Sequence, residues 1–297
     1  MSTIRYAKLV GTGNDFVLID ARARAAPSNG EWPRLARQLC SSTSGEGTDG
    51  LLVLGRSRRA DVRMRIFNPD GSEPAMCGNG IRCLAWFAHR AGAAGRRMTI
   101  ETAAGVKRAV IRGRAEVRVD MGVPIVRKRL DAFFRNGGRP VDANLVDSGV
   151  PHLVCWVRDP SKIAVDRVGR RLRHDPRLGA AGANVDFTRV ARTGPGRATL
   201  EMRTFERGVE AETRACGTGA VAAAVAHVWR TLTQAGASRA PGRWRVDVRV
   251  PGGTLRVDVS ARRAAGRVRF GPAVLEGEAR QLSPRSNGAG LHGRRRG

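Results

Sequence analysis

Two short loops carry the residue types best suited to chemistry in this chain of 297 residues. Cys77 is followed by Gly-Asn-Gly and Cys216 by Gly-Thr-Gly, and each loop leads into an apolar run typical of a helix. A thiol at a helix N-terminus meets unpaired backbone N–H groups and the positive end of the helix dipole, which favour the thiolate. The same N–H groups can hold a carboxylate. A packed helix start with glycine caps is the plainer interpretation of one such loop, but two in one chain favour chemistry.

The two loops belong to an internal repeat. Met64–His89 and Met202–His227 each read as a strand, a polar loop, Cys-Gly-x-Gly and an apolar helix that ends near a histidine. Downstream, Thr99–Pro124 and Val246–Pro272 each read as three strands joined by turns. A repeat of about 100 residues is longer than a solenoid unit. It therefore predicts two similar domains, with the cysteines face to face across a pseudo-twofold axis.

Two facing thiols suit two kinds of chemistry. They can close to a disulfide in a redox reaction. Alternatively, one thiolate can remove a proton while a thiol on the opposite face returns one, which inverts a stereocentre. The residues alone leave both hypotheses open.

Period-two alternation, typical of half-buried strands, dominates the rest of the chain. It is clearest in four segments: Val62–Phe67, Ala115–Asp120, Arg245–Val250 and Leu255–Val259. Helices are few, and we predict them over Glu31–Leu39, with Pro33 in its first turn, and over the apolar runs Ile81–His89 and Ala220–Trp229. Residues 281–297 have no periodic pattern, and we predict a disordered basic tail there.

The formal net charge of +27 raises the hypothesis of a nucleic-acid partner. Only four of the 53 basic residues are lysines, and the arginines are spread evenly along the chain, many on the polar face of strands. This even spread is typical of a compositional bias, so we do not expect nucleic acid as the partner. No apolar stretch is long enough for a transmembrane helix and the first residues do not resemble a signal peptide, so we expect a cytoplasmic protein without a membrane partner.

The five cysteines do not predict a metal site. Cys77 and Cys83 are spaced C-x5-C, and no C-x-x-C pair exists to complete a zinc centre. Cys40, Cys83 and Cys155 lie in apolar runs, where a cysteine acts as a small buried hydrophobe. We expect no structural metal.

Seven segments together resemble the diaminopimelate epimerase family: YAKLVGTGNDFVLID, GTDGLLVL, RIFNPDGSEPAMCGNGIRCLAWF, GVPHLV, GANVDF, FERGVEAETRACGTGA and VPGGTL. They follow in order from about Tyr6 to Glu278. The resemblance implies an α+β fold of two pseudosymmetric domains, each a curved, mainly antiparallel sheet around a central helix, with the active site in the interdomain cleft. We expect one domain over 1–122, carrying Cys77, and another over 123–266, carrying Cys216, with a final strand near 267–280 that returns to the first.

The resemblance also implies an activity. The family interconverts LL- and meso-diaminopimelate for lysine and peptidoglycan synthesis, without a cofactor and usually as a homodimer. Cys77 and Cys216 match the acid and base residues, while His152 and Glu206 match positions that tune them. The expected substrate-binding positions are Asn14, Asn68, Gly78, Asn79, Asn184, Glu206, Arg207, Gly217 and Thr218. Taken alone, His152 would be a structural histidine, Glu206 a solvated charge and Asn14 a turn residue.

Two positions depart from the common family pattern. Gly50 stands where many members carry Gln, and Val150 where many carry Asn. The resemblance places both in the substrate-contacting set. They therefore keep a second hypothesis open, a racemase or epimerase of another amino acid, such as histidine or hydroxyproline.

Overall fold

The computed structural model describes residues 5–22, 27–41, 47–233, 242–264 and 267–282, which form a sheet-dominated α+β protein with few helices. Its strands are β1 (Ala7–Gly11), β2 (Asn14–Asp20), β3 (Gly50–Gly55), β4 (Val62–Phe67), β5 (Arg97–Thr102), β6 (Gly105–Arg112), β7 (Glu116–Gly122), β8 (Ile125–Asn136), β9 (Arg139–Asp147), β10 (Pro151–Trp156), β11 (Asn184–Gly194), β12 (Arg197–Glu206), β13 (Ala211–Thr213), β14 (Arg243–Val250), β15 (Gly253–Ala264), β16 (Arg267–Phe270), β17 (Ala273–Glu278) and β18 (Arg280–Gln281). Its α-helices are α1 (Trp32–Leu39), α2 (Gly78–Arg90), α3 (Val165–Arg173) and α4 (Gly217–Thr233), and short 3-10 turns cover Pro160–Lys162 and Pro176–Leu178.

The strand pairing repeats along the chain. From β1 to β7, successive neighbours pair antiparallel, parallel, antiparallel, parallel, antiparallel and antiparallel. The series β9, β10, β11, β12, β14, β15 and β17 has the same order of pairings. The duplication read from the sequence is therefore present in the hydrogen bonding of the backbone.

Each repeat surrounds one helix. The α2 helix contacts β1–β4, β6 and β7, and α4 contacts β9–β12, β14, β15 and β17 of the second repeat. Residues 220–226 of α4 are alanine and valine with no exposed surface, as expected of a helix enclosed on all sides. The two helices also contact each other, so both belong to one continuous core.

The C-terminal strands join the two repeats. One edge of β17 pairs with β15 and the other with β7, so this strand lies between the second repeat and the first. The short strand β18 pairs with β1. Gln281 therefore pairs with Leu9 instead of starting a disordered tail, because the backbone of β1 offers it hydrogen-bond partners. Residues 283–297 lie outside the described part of the chain.

The predicted elements are present with small changes of their ends. The expected α1, β4, β7 and β14 agree within two residues, whereas β15 runs further than predicted because β16 extends its pairing. Both apolar helices start earlier, at the glycine after each cysteine. Among the helices of the described segments, none is both long and apolar enough to cross a membrane.

Candidate active site

A cavity of about 600 Å³ brings residues of both repeats together. Both cysteines line it, with residues from the start of β2, from the loop before β3, from the loop between β4 and α2, and from the loops that flank β13. The expected site residues that line the cavity are Asn14, Asn68, Cys77, Gly78, Asn79, Glu206, Arg207, Cys216, Gly217 and Thr218.

The two cysteines occupy equivalent places at the starts of the central helices. The carbonyl of Cys77 accepts the first helical hydrogen bond of α2 from Ile81 at 3.0 Å, and the carbonyl of Cys216 accepts that of α4 from Ala220 at 2.9 Å. The Sγ of Cys77 also accepts a hydrogen bond from the Gly80 N–H at 3.3 Å. Each thiol is thus at the positive end of a helix dipole, as the sequence predicted.

The helix starts meet through glycine. A Cβ added to Gly78 would lie 3.1 Å from the Cα of Gly217, and one added to Gly217 would lie 3.0 Å from the Cα of Gly78. These separations are shorter than most Cβ contacts in proteins, so a side chain at either position would push the helix starts apart by a few tenths of an ångström. The close approach of α2 and α4 therefore requires both glycines and sets the spacing of the two cysteine loops.

A chain of buried polar groups lies behind Cys216. The Sγ is 3.4 Å from the Thr218 hydroxyl, which is 2.9 Å from Nε2 of His152. Nδ1 of His152 is 2.8 Å from the Asp186 carboxylate, and His152 and Asp186 have no exposed surface. Because a carboxylate only accepts, Nδ1 carries the proton, which leaves Nε2 free to accept from the Thr218 hydroxyl.

A different chain lies behind Cys77. The Arg82 guanidinium donates to Oδ1 of Asn79 at 2.7 Å, and Nδ2 of Asn79 donates to Oδ1 of Asn14 at 2.5 Å. Nδ2 of Asn14 then donates to the Asp49 carboxylate at 2.9 Å. Nδ2 of Asn79 also donates to the Ala215 carbonyl at 2.9 Å, which ties one cysteine loop to the other.

Burial works against the helix dipoles. Desolvation raises the pKa of Cys77 to about 11. The hydrogen bond from the Gly80 N–H acts in the opposite direction, and the negative charge of Glu206 adds to the increase. Desolvation and the charges of Glu206 and Asp186 raise the pKa of Cys216 well above its usual value. Desolvation also raises the pKa of Glu206, against the hydrogen bond from Thr213. In the free protein, the desolvation of these two thiols therefore outweighs the effect of the helix starts, with Cys216 buried and Cys77 half-buried at the cavity.

Comparison with known proteins identifies the family. The diaminopimelate epimerase family model matches residues 6–126 and 144–276. The diaminopimelate epimerase of Methanothrix thermoacetophila is 40% identical over 283 residues, covering 92% of this chain and 94% of that protein. That of Moorella thermoacetica is 40% identical over 273 residues, covering 86% and 92%. This chain belongs to the diaminopimelate epimerase family.

Solved structures share the fold of this family member. A phenazine biosynthesis protein of the PhzF family from Bacillus anthracis matches with a TM-score of 0.70 at 16% identity, covering 95% of this chain and 98% of that one. A hydroxyproline epimerase from Agrobacterium vitis matches with a TM-score of 0.67 at 18% identity, covering 95% and 91%. At these identities the likeness concerns architecture alone.

Two of the expected site residues of this epimerase lie behind the cavity wall. His152 reaches Cys216 through Thr218, and Asn184 accepts a hydrogen bond from the backbone N–H of Arg207 at 2.8 Å. Neither lines the cavity. Their place is one layer out, where they orient residues that do line it.

The two departures from the family pattern also lie off the cavity. Gly50 is buried at the start of β3, where a Cβ would be 2.9 Å from the Phe67 carbonyl oxygen. Val150 lies in the turn before β10, and its carbonyl accepts from the Ser148 N–H. Neither is among the residues that line the cavity.

Three residues that sequence reasoning missed hold the site together. Asp49 and Asp186 end the two hydrogen-bond chains, and Arg82 begins one of them. A single charge inside the apolar run Ile81–His89 was the available signal for Arg82. Within the described residues there is no group of three or more His, Cys, Asp or Glu side chains placed to hold a metal ion.

Proposed function

We propose that this epimerase interconverts LL- and meso-2,6-diaminopimelate by a two-base reaction in which Cys77 and Cys216 exchange protons with opposite faces of one Cα. The observation that carries the proposal is the pair of thiols at the starts of two abutting helices, lining one cavity. The curated relatives named for this activity support the choice of substrate.

The reaction balances with the two thiols alone. The thiolate of one cysteine takes the proton from Cα, which leaves the bonding electron pair on the substrate as a carbanion and turns that cysteine into a thiol. The thiol of the other cysteine then gives its proton to the opposite face of Cα and becomes the thiolate. In the reverse direction the two cysteines exchange roles, so neither step requires an added cofactor.

The protein groups around the thiols favour this chemistry. The first N–H groups of α2 and α4 have no partner within their helices, so they can hold the α-carboxylate and the charge that moves into it from the carbanion. Arg207 offers a planar fork to a second carboxylate. Bound substrate also places positive charge, its α-ammonium group, beside thiols whose pKa burial has raised, and this charge favours the thiolate.

Exchange of the substrate Cα proton with solvent deuterium tests the proposal. Purified protein, dialysed against a chelator and without pyridoxal phosphate, is incubated in D₂O with LL- or meso-diaminopimelate. We expect deuterium at the epimerised Cα of both isomers and interconversion of the two. A requirement for added metal or pyridoxal phosphate, or retention of protium in both isomers, would contradict the two-base reaction.

The same assay separates the proposal from the second hypothesis. A panel containing histidine, proline and hydroxyproline enantiomers should show no exchange, because nothing in the cavity singles them out. We further propose that the enzyme works on the free amino acid in the cytoplasm, as a homodimer, and supplies lysine and peptidoglycan synthesis. Gel filtration of the active protein checks the oligomeric state.

A further inference from the structure

Arg82 is a fully buried arginine directly under the Cys77 loop. Its side chain has no exposed surface, and it donates hydrogen bonds to the Gly78 carbonyl at 3.0 Å, to Oδ1 of Asn79 at 2.7 Å and to Oγ1 of Thr12 at 2.8 Å. Its Nε atom is buried without a partner among the described residues. A charged group in such a place is costly, so its retention calls for a role.

All three acceptors of Arg82 are neutral. Within the described part of the chain, no carboxylate forms a hydrogen bond or ion pair with it, whereas several arginines of the sheets, such as Arg118, Arg203 and Arg256, pair with Asp or Glu. Desolvation lowers the pKa of Arg82 to about 10. The negative charges of Cys83 and Cys77 in their thiolate forms act in the opposite direction. The groups near Arg82 that could supply a balancing negative charge are therefore the thiolates of Cys83 and Cys77, and of these two only Cys77 lines the cavity.

Arg82 also decides how two amides point. An arginine can only donate and a carboxylate can only accept, so the chain from Arg82 to Asp49 has one possible direction. Both amide hydrogens of Asn79 are then used, on Asn14 and on the Ala215 carbonyl. The Asn79 side chain therefore acts as a tether between the cysteine loops, and its backbone N–H is what it can offer to substrate.

The second repeat has no such residue. The position five residues after Cys216 is Val221, which is buried and apolar. The charged groups that act on Cys216 are Glu206 and Asp186, both negative. The charged groups that act on Cys77 are Glu206, which is negative, and Arg82, which is positive. Cys83 on α2 is a further titratable group close to Cys77 and Arg82.

We propose that Arg82 is a positioning residue that makes the two cysteine sites unequal: it fixes Asn79 and the Cys77 loop and reserves the positive charge beneath them for the Cys77 thiolate. This inference rests on the proposed function in that the thiolate it balances is the base of the epimerisation. In the resting enzyme, Cys77 is then the cysteine that ionises first.

Alkylation of the cysteines tests the inference without substrate. Iodoacetamide reacts with thiolates, so the rate of labelling of each cysteine against pH, followed by peptide mass analysis, reports each ionisation separately. In Arg82→Met we expect the Cys77 profile to move to higher pH by about one unit, so that labelling below its midpoint slows roughly tenfold. The Cys216 profile should stay in place.

Two further variants separate charge from packing. Arg82→Lys keeps the charge but cannot serve all three acceptors, so we expect a Cys77 profile near that of the native protein and weaker epimerisation. If Arg82→Met fails to fold, Arg82→Lys still tests the positioning role, because undiminished epimerisation in that variant would contradict it. Arg118→Met is the matched control. Among the contacts described, Arg118 donates hydrogen bonds only to Asp258 and Glu276 in the sheet, and it contacts neither cysteine loop. An unchanged Cys77 profile in Arg82→Met, or equal movement of both cysteine profiles, would overturn the inference.

Deuterium exchange supplies the second readout. Cys77→Ala identifies the isomer whose exchange depends on Cys77, and Arg82→Met should slow exchange of that isomer selectively. If the native protein exchanged neither isomer while Arg82→Met still moved the Cys77 profile, the proposed substrate would be wrong and the role of Arg82 would stand.

Discussion

The Cys77 loop and the Cys216 loop have the same backbone and opposite surroundings. Each cysteine precedes a central helix, each is followed by Gly-x-Gly, and the two helices touch through Gly78 and Gly217. Behind Cys77 the hydrogen bonds begin at a buried cation, whereas behind Cys216 they end at a buried carboxylate. The repeated backbone thus supplies the facing geometry, whereas residues that differ between the two repeats give each thiol its own electrostatic environment.

Removing each thiol in turn should have the largest effect. Cys77→Ala and Cys216→Ala should each lower epimerisation by about 10³-fold or more, because the missing acid or base is replaced only by water. Each variant should still exchange the Cα proton of a different isomer, which deuterium incorporation measures. Cys83→Ala is the control: it removes a buried thiol within the same helix and should lower stability but preserve the chemistry. The same isomer preference in both variants would contradict the assignment of the two thiols to opposite faces of Cα.

Separating the helix starts should come next. Gly217→Ala adds a Cβ that would lie 2.9 Å from a Leu275 methyl and 3.0 Å from the Cα of Gly78, so α2 and α4 must move apart. We expect a loss of about 1–3 kcal/mol in the free energy of unfolding, typical of overpacking, and a clear drop in kcat for both isomers. Gly194→Ala, where a Cβ meets nothing within 4 Å, is the matched control for denaturant unfolding and kinetics. Equal behaviour of the two variants would refute the role of the glycine contact.

Neutralising Asp186 should affect one loop. Its charge contributes to the raised pKa of Cys216 but is not among the groups that shift Cys77. Asp186→Asn should therefore move the alkylation profile of Cys216 to lower pH and leave that of Cys77 in place. The His152 ring loses its fixed tautomer as well, so exchange that depends on Cys216 should slow by about tenfold or more. A shift of both profiles would show that the two sites share one electrostatic environment.

The smallest effect on the reaction is expected from the histidines at the ends of the two repeats, His89 and His227. Burial lowers the pKa of His227 to about 4, and its Nε2 has no partner among the described residues. The pKa of His227 is lower in the folded protein than in the unfolded chain. Its contribution to the free energy of unfolding is therefore fully present above about pH 6.5 and is lost as the pH falls toward 4. We expect native protein to lose about 2 kcal/mol at pH 5 through this residue. His227→Gln should remove that loss of stability, whereas His89→Gln should not. Urea unfolding at pH 7 and pH 5 measures both. Equal acid sensitivity of the native protein and the two variants would contradict this prediction.

Local sequence patterns were enough for much of the fold and for the pair of cysteines that line the cavity. Alternation located the strands β4, β7 and β14, and the repeated Cys-Gly-x-Gly pattern located both helix starts. These features depend on neighbours within a few residues, which is why they can be read from the sequence. The family resemblance added further residues that line the cavity, such as Asn14, Asn68 and Arg207.

The rest depended on contacts distant in sequence. The sequence determined that two thiols begin two similar helices, because glycine, cysteine and apolar periodicity act locally. Only the tertiary structure decided that Asn79 ties its loop to Ala215, that His152 acts through Thr218, and that burial raises the pKa of both cysteines. The physical reason is that solvent exclusion and long-range hydrogen bonds arise only when the two repeats close on each other, and no local pattern records how much water that closure removes.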